Sequence, residues 1–178
     1  MTAHSYCFPA GGEGVGDVRQ DWGYVDVRAN AHMFWWLYYT TATTVSHYSE
    51  RPLIIWLQGG PGMAASGYGN FLEIGPYNLH MKPRRHTWIK DYNVLFVDSP
   101  IGTGFSYFSE KNATLLTSTE DIGGDLVTFL RKFLQNRKVF ARTPLYIFGE
   151  SYGGKMAAEF AYQLEKVCTY SIQTIVLV

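Results

Sequence analysis

The sequence GESYG at residues 149–153 constrains the fold of this 178-residue chain more than any other segment does. It follows the apolar run 145–148, which is typical of a buried strand, and precedes a helix-like stretch from Lys155 to Val167. A strand that feeds directly into a helix needs small residues around the turn, because the backbone bends tightly there. Such a turn holds its central side chain clear of the sheet. Ser151 is therefore a candidate nucleophile.

This pattern is the nucleophile elbow of the α/β-hydrolase fold. In that fold the catalytic acid and histidine follow the serine along the chain, yet no Asp or His occurs between Ser151 and Val178. The five histidines all precede the elbow, and the sequence places none of them beside the serine: His4, His32, His47, His80 and His86. We therefore expect the nucleophile to be present without its activating partners.

The apolar pattern predicts an α/β fold. Continuous apolar runs at 53–57, 94–97 and 145–148 are typical of strands buried on both faces of a parallel sheet. Between the last two runs, a helix is predicted from a capping pattern of Ser118 and Asp121 and a stripe of apolar residues. Strand, helix and strand in this order form a crossover unit.

The two ends of the chain complete this prediction. Residues 22–27 and 32–40 indicate an antiparallel hairpin at one edge of the sheet, and 172–178 is a further strand candidate. We expect a flexible, glycine-rich arm over 1–20 and a partial α/β-hydrolase domain over 21–178. The predicted domain is the N-terminal part of a mostly parallel sheet, truncated after the elbow and its helix.

Composition excludes several function classes. The chain has 15 Lys and Arg against 15 Asp and Glu, so its summed charge does not attract nucleic acid or an anionic membrane. The basic cluster 82–86 is interpreted as a solvated loop. The bulky apolar stretch 33–39 is far shorter than the ~20 residues of a membrane span. Neither a nucleic-acid partner nor a membrane span is predicted.

A second glycine-rich segment, WLQGGPG at 56–62, follows the first apolar run. Attack by a serine on an acyl carbon needs backbone N–H groups that hold the developing oxyanion. In the hydrolase fold one donor is the residue after the serine, here Tyr152, and the other comes from a glycine-rich loop after an earlier strand. The two motifs stand in the required order, which favours an acyl-transfer enzyme.

Four ordered segments resemble the motifs of the serine carboxypeptidase family: WLQGGPG, FLEIGP at 71–76, VDSPIGTGFSY at 97–107 and GESYGGK at 149–155. The resemblance spans roughly Asp21 to Leu164. With WGYV at 22–25 and MFWWLYY at 33–39, the chain is similar in particular to the retinoid-inducible branch of that family. The resemblance implies an enzyme that removes C-terminal residues from peptides or proteins through an acyl-enzyme.

The resemblance also implies roles for individual residues. Ser151 matches the nucleophile, and the N–H groups of Gly60 and Tyr152 match the oxyanion hole. The group that recognises the C-terminal carboxylate of the substrate is matched by Gln58, Glu73 and Glu150. A carboxyl group repels that carboxylate unless one of them holds a proton, so activity at low pH is expected. We expect no cofactor and no metal ion.

The cellular location is expected from the resemblance to be the secretory pathway, with the protein lysosomal or secreted. Asn112 begins a glycosylation sequon, which agrees with that location, whereas the N-terminus shows no secretory signal. Cys7 and Cys168 are too few to indicate a disulfide framework, and the oligomeric state is left open.

Three functions remain open at this point. The chain is the N-terminal portion of a serine carboxypeptidase, a non-catalytic relative that binds a peptide C-terminus or a partner, or an acyltransferase or esterase on the same scaffold. Because two triad members are missing, we expect the 178-residue chain alone to be inactive.

Asp98, at the end of a central strand, is interpreted as a carboxylate that braces its own loop.

Overall fold

The computed structural model describes residues 14–110, 114–167 and 172–177, the last through its backbone. The strands are β1 (Gln20–Arg28), β2 (Ala31–Tyr38), β3 (Leu53–Leu57), β4 (Asn93–Val97), β5 (Tyr107–Phe108), β6 (Leu145–Gly149) and β7 (Ile172–Leu177). The α-helices are α1 (Thr119–Asn136) and α2 (Tyr152–Val167). A π-helical segment covers Ala65–Ile74, and short 3-10 helices cover Tyr48–Glu50, Trp88–Lys90 and Lys138–Arg142.

The strands form one sheet in the order β1-β2-β4-β3-β6-β7, with β5 paired to β2. The β1–β2 hairpin is antiparallel and pairs antiparallel with β4, whereas β3, β4, β6 and β7 are parallel to one another. The predicted α/β class, edge hairpin and mostly parallel sheet are confirmed. The two-residue strand β5 and the π-helical segment were not predicted.

Both faces of the sheet are covered. All five residues of β3 and all five of β4 are buried, which explains the continuous apolar runs 53–57 and 94–97. On one face α1 and α2 supply fully buried side chains, among them Phe129, Phe133 and Phe160. On the other face Trp56 and Phe96 pack with residues of the π-helical segment and of the loop before β4. Each such side chain contributes about 1.5–3 kcal/mol of hydrophobic stabilisation.

Helix α1 begins where its sequence predicts. The hydroxyl of Ser118 accepts a hydrogen bond from the Asp121 N–H at 3.0 Å, which satisfies one of the free donors of the first turn. The predicted apolar stripe is buried against the sheet: Ile122, Leu126, Phe129, Leu130 and Phe133. Helix α2 begins at Tyr152, three residues before the predicted stretch, directly after the elbow serine.

Part of the predicted N-terminal arm is described. The Asp17 N–H donates to the Tyr77 hydroxyl at 3.0 Å, and that hydroxyl donates to the Asp17 carboxylate at 2.7 Å. Cys7, Asn112 and Cys168 lie outside the described residues. In the part of the chain that is described, no helix has both the length and the apolar character needed to cross a membrane.

Candidate active site

The carboxyl ends of three neighbouring parallel strands meet at one edge of the sheet. Leu57 at the end of β3 is in register with the last residues of β4 and β6. The residues that follow these strands, Gln58, Asp98 and Glu150, therefore lie together at that edge. Ligand sites in open α/β sheets form outside these carboxyl ends.

The turn between β6 and α2 has a strained backbone. Ser151 adopts a φ of +54°, a value that is uncommon for a residue with a side chain, and it is exposed. The Glu150 N–H donates to the Leu57 carbonyl at 3.1 Å and fixes the turn to β3. A Cβ on Gly153 would lie 2.1 Å from that carbonyl oxygen, so only glycine fits there. The strand–turn–helix conformation predicted for GESYG is present.

The glycine loop after β3 contacts this turn. A Cβ on Gly59 would lie 3.0 Å from the Ser151 Cβ and 3.4 Å from the Tyr152 backbone nitrogen. Tyr152 is the first residue of α2, so its N–H has no acceptor within the helix. The Gly60 N–H has no backbone acceptor among the described residues. The Tyr152 N–H thus lies next to the serine without a helical acceptor, and the Gly60 N–H belongs to the loop that contacts this turn.

Gln58 joins two glutamates beside the elbow. Its Nε2 atom donates to Glu150 Oε2 and, at 3.4 Å, to Glu73 Oε1. The indole Nε1 of Trp56 donates to Gln58 Oε1 at 2.7 Å. Because that oxygen accepts from the indole, the amide nitrogen must face the two carboxyl groups. Trp56 was missed by the sequence analysis, although its position two residues before Gln58 places it on the same face.

Glu73 has a raised pKa. Burial, the hydrogen bond with Glu150 and the charge of Glu150 raise the pKa of Glu73 to about 7. Glu73 Oε2 is buried and has no hydrogen-bond partner in the described part of the chain. Below pH 7 Glu73 therefore holds a proton and can act as a hydrogen-bond donor.

Arg84 also acts on this cluster, which corrects the interpretation of 82–86 as a solvated loop. Arg84 is partly buried and donates from Nε to the Tyr77 carbonyl at 3.3 Å and from Nη2 to the Phe71 carbonyl. Its charge lowers the pKa of Glu73, opposing the effects that raise it. The other polar side chains of the cluster are exposed, as expected: Lys82, Arg85 and His86. The sequence could not show which of these cations packs inward.

Asp98 accepts three hydrogen bonds and is fully buried. Its carboxylate accepts from the Ser66 N–H at 2.8 Å, the Ser66 hydroxyl at 2.7 Å and the Phe105 N–H at 3.0 Å. Burial raises the pKa of Asp98 above its usual value, and these hydrogen bonds oppose that rise. The predicted loop-bracing role is confirmed, but Asp98 also holds the π-helical segment through Ser66, a contact that the sequence did not indicate.

The described histidines form contacts elsewhere. His32 Nδ1 lies 2.6 Å from Asp26 Oδ1, and His47 Nδ1 lies 2.7 Å from Ser49 Oγ. Over residues 14–110 and 114–167 no histidine hydrogen-bonds to Ser151. Nor do the described residues include three or more His, Cys, Asp or Glu side chains placed to hold a metal ion.

The sheet and its elbow define an α/β-hydrolase. The fold is similar to the crystal structure of Kex1(Δ)p, a prohormone-processing carboxypeptidase from Saccharomyces cerevisiae, with a TM-score of 0.74. That likeness covers 90% of this chain and 38% of the yeast chain at 24% identity, so it is evidence for the fold alone.

Sequence comparison gives the family. Residues 10–174 match the family model of serine carboxypeptidases, and the chain belongs to that family. It is 48% identical to the retinoid-inducible serine carboxypeptidase of Mus musculus over 148 residues, 83% of this chain and 32% of the mouse protein. It is 42% identical to serine carboxypeptidase-like 51 of Arabidopsis thaliana, over 80% of this chain and 31% of the plant protein. The chain thus spans about a third of these relatives' length.

Proposed function

We propose that this chain carries the nucleophile and the substrate-carboxylate site of a serine-type carboxypeptidase. The observation that carries the proposal is the cluster of Gln58, Glu73 and Glu150 beside the elbow serine. A plain esterase needs no group that binds a free carboxylate next to its nucleophile. An exopeptidase that acts at a chain end does need one, because the terminal carboxylate is what distinguishes its substrate.

The reaction follows from the positions of the backbone donors. Ser151 Oγ attacks the carbonyl carbon of the last peptide bond, and the resulting oxyanion accepts hydrogen bonds from the Gly60 and Tyr152 N–H groups. The C–N bond then breaks, the leaving amine takes a proton, and water hydrolyses the ester on Ser151. The serine proton needs a general base, which in α/β-hydrolases is a histidine later in the chain.

The proton held by Glu73 supports the expected preference for low pH. While it holds this proton, Glu73 donates a hydrogen bond to the substrate carboxylate instead of repelling it. Since the pKa of Glu73 is about 7, this donor is lost as the pH rises through 7. Substrate affinity therefore falls at alkaline pH, while the reactivity of Ser151 is governed separately by its base.

The substrate class and location are part of the same proposal. The substrates are peptides or proteins with a free C-terminus, and no cofactor takes part. The protein acts in the secretory pathway, in a lysosome or outside the cell, and carries a glycan at Asn112. The sequon supports this location. Loss of mass on glycosidase treatment, absent in Asn112→Gln, tests the glycan.

The decisive variant is Ser151→Ala. It should abolish both labelling by a fluorophosphonate and release of the last residue from an N-blocked dipeptide. We would measure both on this chain and on the full-length product of its gene, with Ser118→Ala as a control far from the elbow. Labelling or cleavage that survives in Ser151→Ala would overturn the assignment of the nucleophile.

A binding function is the second candidate, favoured by a complete carboxylate cluster with no histidine bonded to Ser151 in the described part of the chain. It predicts that the fluorophosphonate does not label the chain. It also predicts that the chain binds an N-blocked dipeptide with a free C-terminal carboxylate and does not bind the corresponding C-terminal amide. Calorimetry with the acid and the amide separates the two outcomes. Turnover of an ester without peptide cleavage would instead support an acyltransferase or esterase.

A further inference from the structure

The buried carboxylate of Asp98 connects the loop after β4 with the π-helical segment, at the sheet edge where the parallel strands end. Through Phe105 it holds its own loop after β4, and through both donors of Ser66 it holds the beginning of the π-helical segment. Two of these bonds, from the Ser66 N–H and hydroxyl, reach a residue 32 positions earlier in the chain. Asp98 therefore fixes the beginning of the π-helical segment, although it lies far from that segment along the chain.

Ser66 lies within the second of two consecutive hydrogen-bonded turns, and the first of these turns begins in the glycine loop. The Met63 N–H donates to the Gly59 carbonyl at 3.2 Å, and the Tyr68 N–H donates to the Ala64 carbonyl at 2.7 Å. Gly60, the proposed oxyanion donor, lies inside the first of these turns. The other end of the π-helical segment carries Glu73. One buried carboxylate thus holds the segment that carries Glu73 and that follows the glycine loop of Gly60 along the chain.

The loop after β4 leaves Asp98 little freedom to move. A Cβ on Gly104 would lie 2.2 Å from Asp98 Oδ2 and 2.8 Å from the Ala64 Cβ, and Gly104 has a φ of +56°. The loop backbone is therefore packed directly against the carboxylate and against the residue that precedes the π-helical segment. A shift of the carboxylate would displace both.

We propose that Asp98 is a positioning residue for catalysis, which sets the place of the Gly60 N–H through its two hydrogen bonds to Ser66. The inference rests on the proposed function of Gly60 and deepens it. An oxyanion donor acts only when it is held in place before the charge develops, and full loss of one donor slows a reaction by about 10²–10³. A donor that is displaced rather than lost should slow it less.

The test compares two Ser→Ala variants, each of which removes a hydrogen bond from a serine hydroxyl to an aspartate carboxylate. Ser66→Ala removes the bond to Asp98 Oδ2 at 2.7 Å, and Ser118→Ala removes a bond of 2.7 Å to Asp121 at the start of α1. Measured on the full-length product of the gene well below its unfolding temperature, Ser66→Ala should lower the fluorophosphonate labelling rate about tenfold. Ser118→Ala should leave that rate unchanged. Equal rates in both variants would overturn the proposal.

A second measurement does not depend on reactivity. Amide hydrogen exchange of the peptide containing residues 59–62 should be faster in Ser66→Ala than in wild type or Ser118→Ala. Asp98→Asn and Ser66→Ala together should slow labelling by less than the product of their separate effects, because both variants act on the bond between the Ser66 hydroxyl and Asp98. Unchanged exchange at 59–62 would refute the positioning role. A wild-type protein that is not labelled at Ser151 would refute the proposed function instead, and the exchange result would still stand.

Discussion

Asp98 and Glu73 are both acidic side chains at the carboxyl edge of the same sheet, but their hydrogen-bond environments are opposite. Asp98 is fully buried and accepts hydrogen bonds from three donors, two on Ser66 in the π-helical segment and one on Phe105 in the loop after β4. Glu73 is partly exposed, faces a second carboxyl group, and has one oxygen without a partner among the described residues. The hydrogen-bonding capacity of Asp98 is met by the protein, whereas that of Glu73 is only partly met by the described residues.

This difference shows how donors decide the role of an acidic side chain. A carboxylate that receives several N–H or O–H donors is held in place and supports the structure around it. A carboxyl that faces another carboxyl has an unfavourable charge in the free protein, which a proton or a ligand relieves. This unfavourable charge at Glu73 is what the proposed carboxylate-binding role would use.

The largest expected effect is on stability at Asp98. Asp98→Ala should lower the free energy of unfolding by about 3–5 kcal/mol, because it leaves the buried donors of Ser66 and Phe105 without an acceptor. Glu73→Ala should change it by less than about 1 kcal/mol. Urea unfolding of the two variants checks this contrast. Similar losses at both positions would remove the distinction between the two carboxylates.

The next effect is on substrate affinity at Glu73. Glu73→Gln keeps an N–H donor at every pH, whereas one unit above the pKa of about 7 only about a tenth of wild-type molecules hold the proton. At pH 8 the variant should therefore have a KM about tenfold lower than wild type, and at pH 5 a similar KM. A KM profile that still rises through pH 7 in Glu73→Gln would assign the titration to another group.

A smaller effect concerns how the free energy of unfolding changes with pH. The folded pKa of Glu73 lies above its ordinary value of 4.5, so the folded state binds the extra proton between pH 4.5 and 7. The stability contribution is present below pH 4.5 and is lost as the pH rises to 7. Because the side chain is partly exposed, we expect a loss of at most about 1 kcal/mol, absent in Glu73→Gln. Urea midpoints across this range measure it.

The smallest effect is expected at Arg84. Arg84→Gln removes the positive charge that lowers the pKa of Glu73, so the midpoint of the KM profile should move to higher pH. Arg85→Gln, which changes the exposed neighbouring cation, is the matched control and should leave the midpoint in place. Carboxyl NMR of Glu73 in both variants reports the shift directly. Equal shifts would mean that long-range charge, rather than the position of Arg84, sets the pKa.

Most of the framework could be predicted from the sequence. The runs 53–57, 94–97 and 145–148 indicated buried strands because a parallel sheet covered on both faces has no polar alternation. The Ser118 cap and the turn at Ser151 were visible because each depends on residues close together in the chain. The π-helical segment was not visible, since its glycines at 67 and 69 do not favour any regular helix.

The contacts that make the site could not be predicted in the same way. Gln58, Glu73 and Glu150 were grouped by family resemblance, and no local pattern gives the bonds between them. The packing of Arg84 against carbonyls of Tyr77 and Phe71 was hidden within a cluster of similar cations. Each of these contacts depends on how separate elements approach one another, which periodicity does not report.

The sequence by itself determined the α/β class, the order of the strands along the chain and the serine at the elbow. These features follow from burial, turn chemistry and short-range motifs, in which neighbouring residues act together. Only the tertiary structure decided that Asp98 is saturated by Ser66 and Phe105 while Glu73 faces Glu150. The role of a carboxyl group depends on the donors and charges around it, and the chain brings those from distant positions only when it folds.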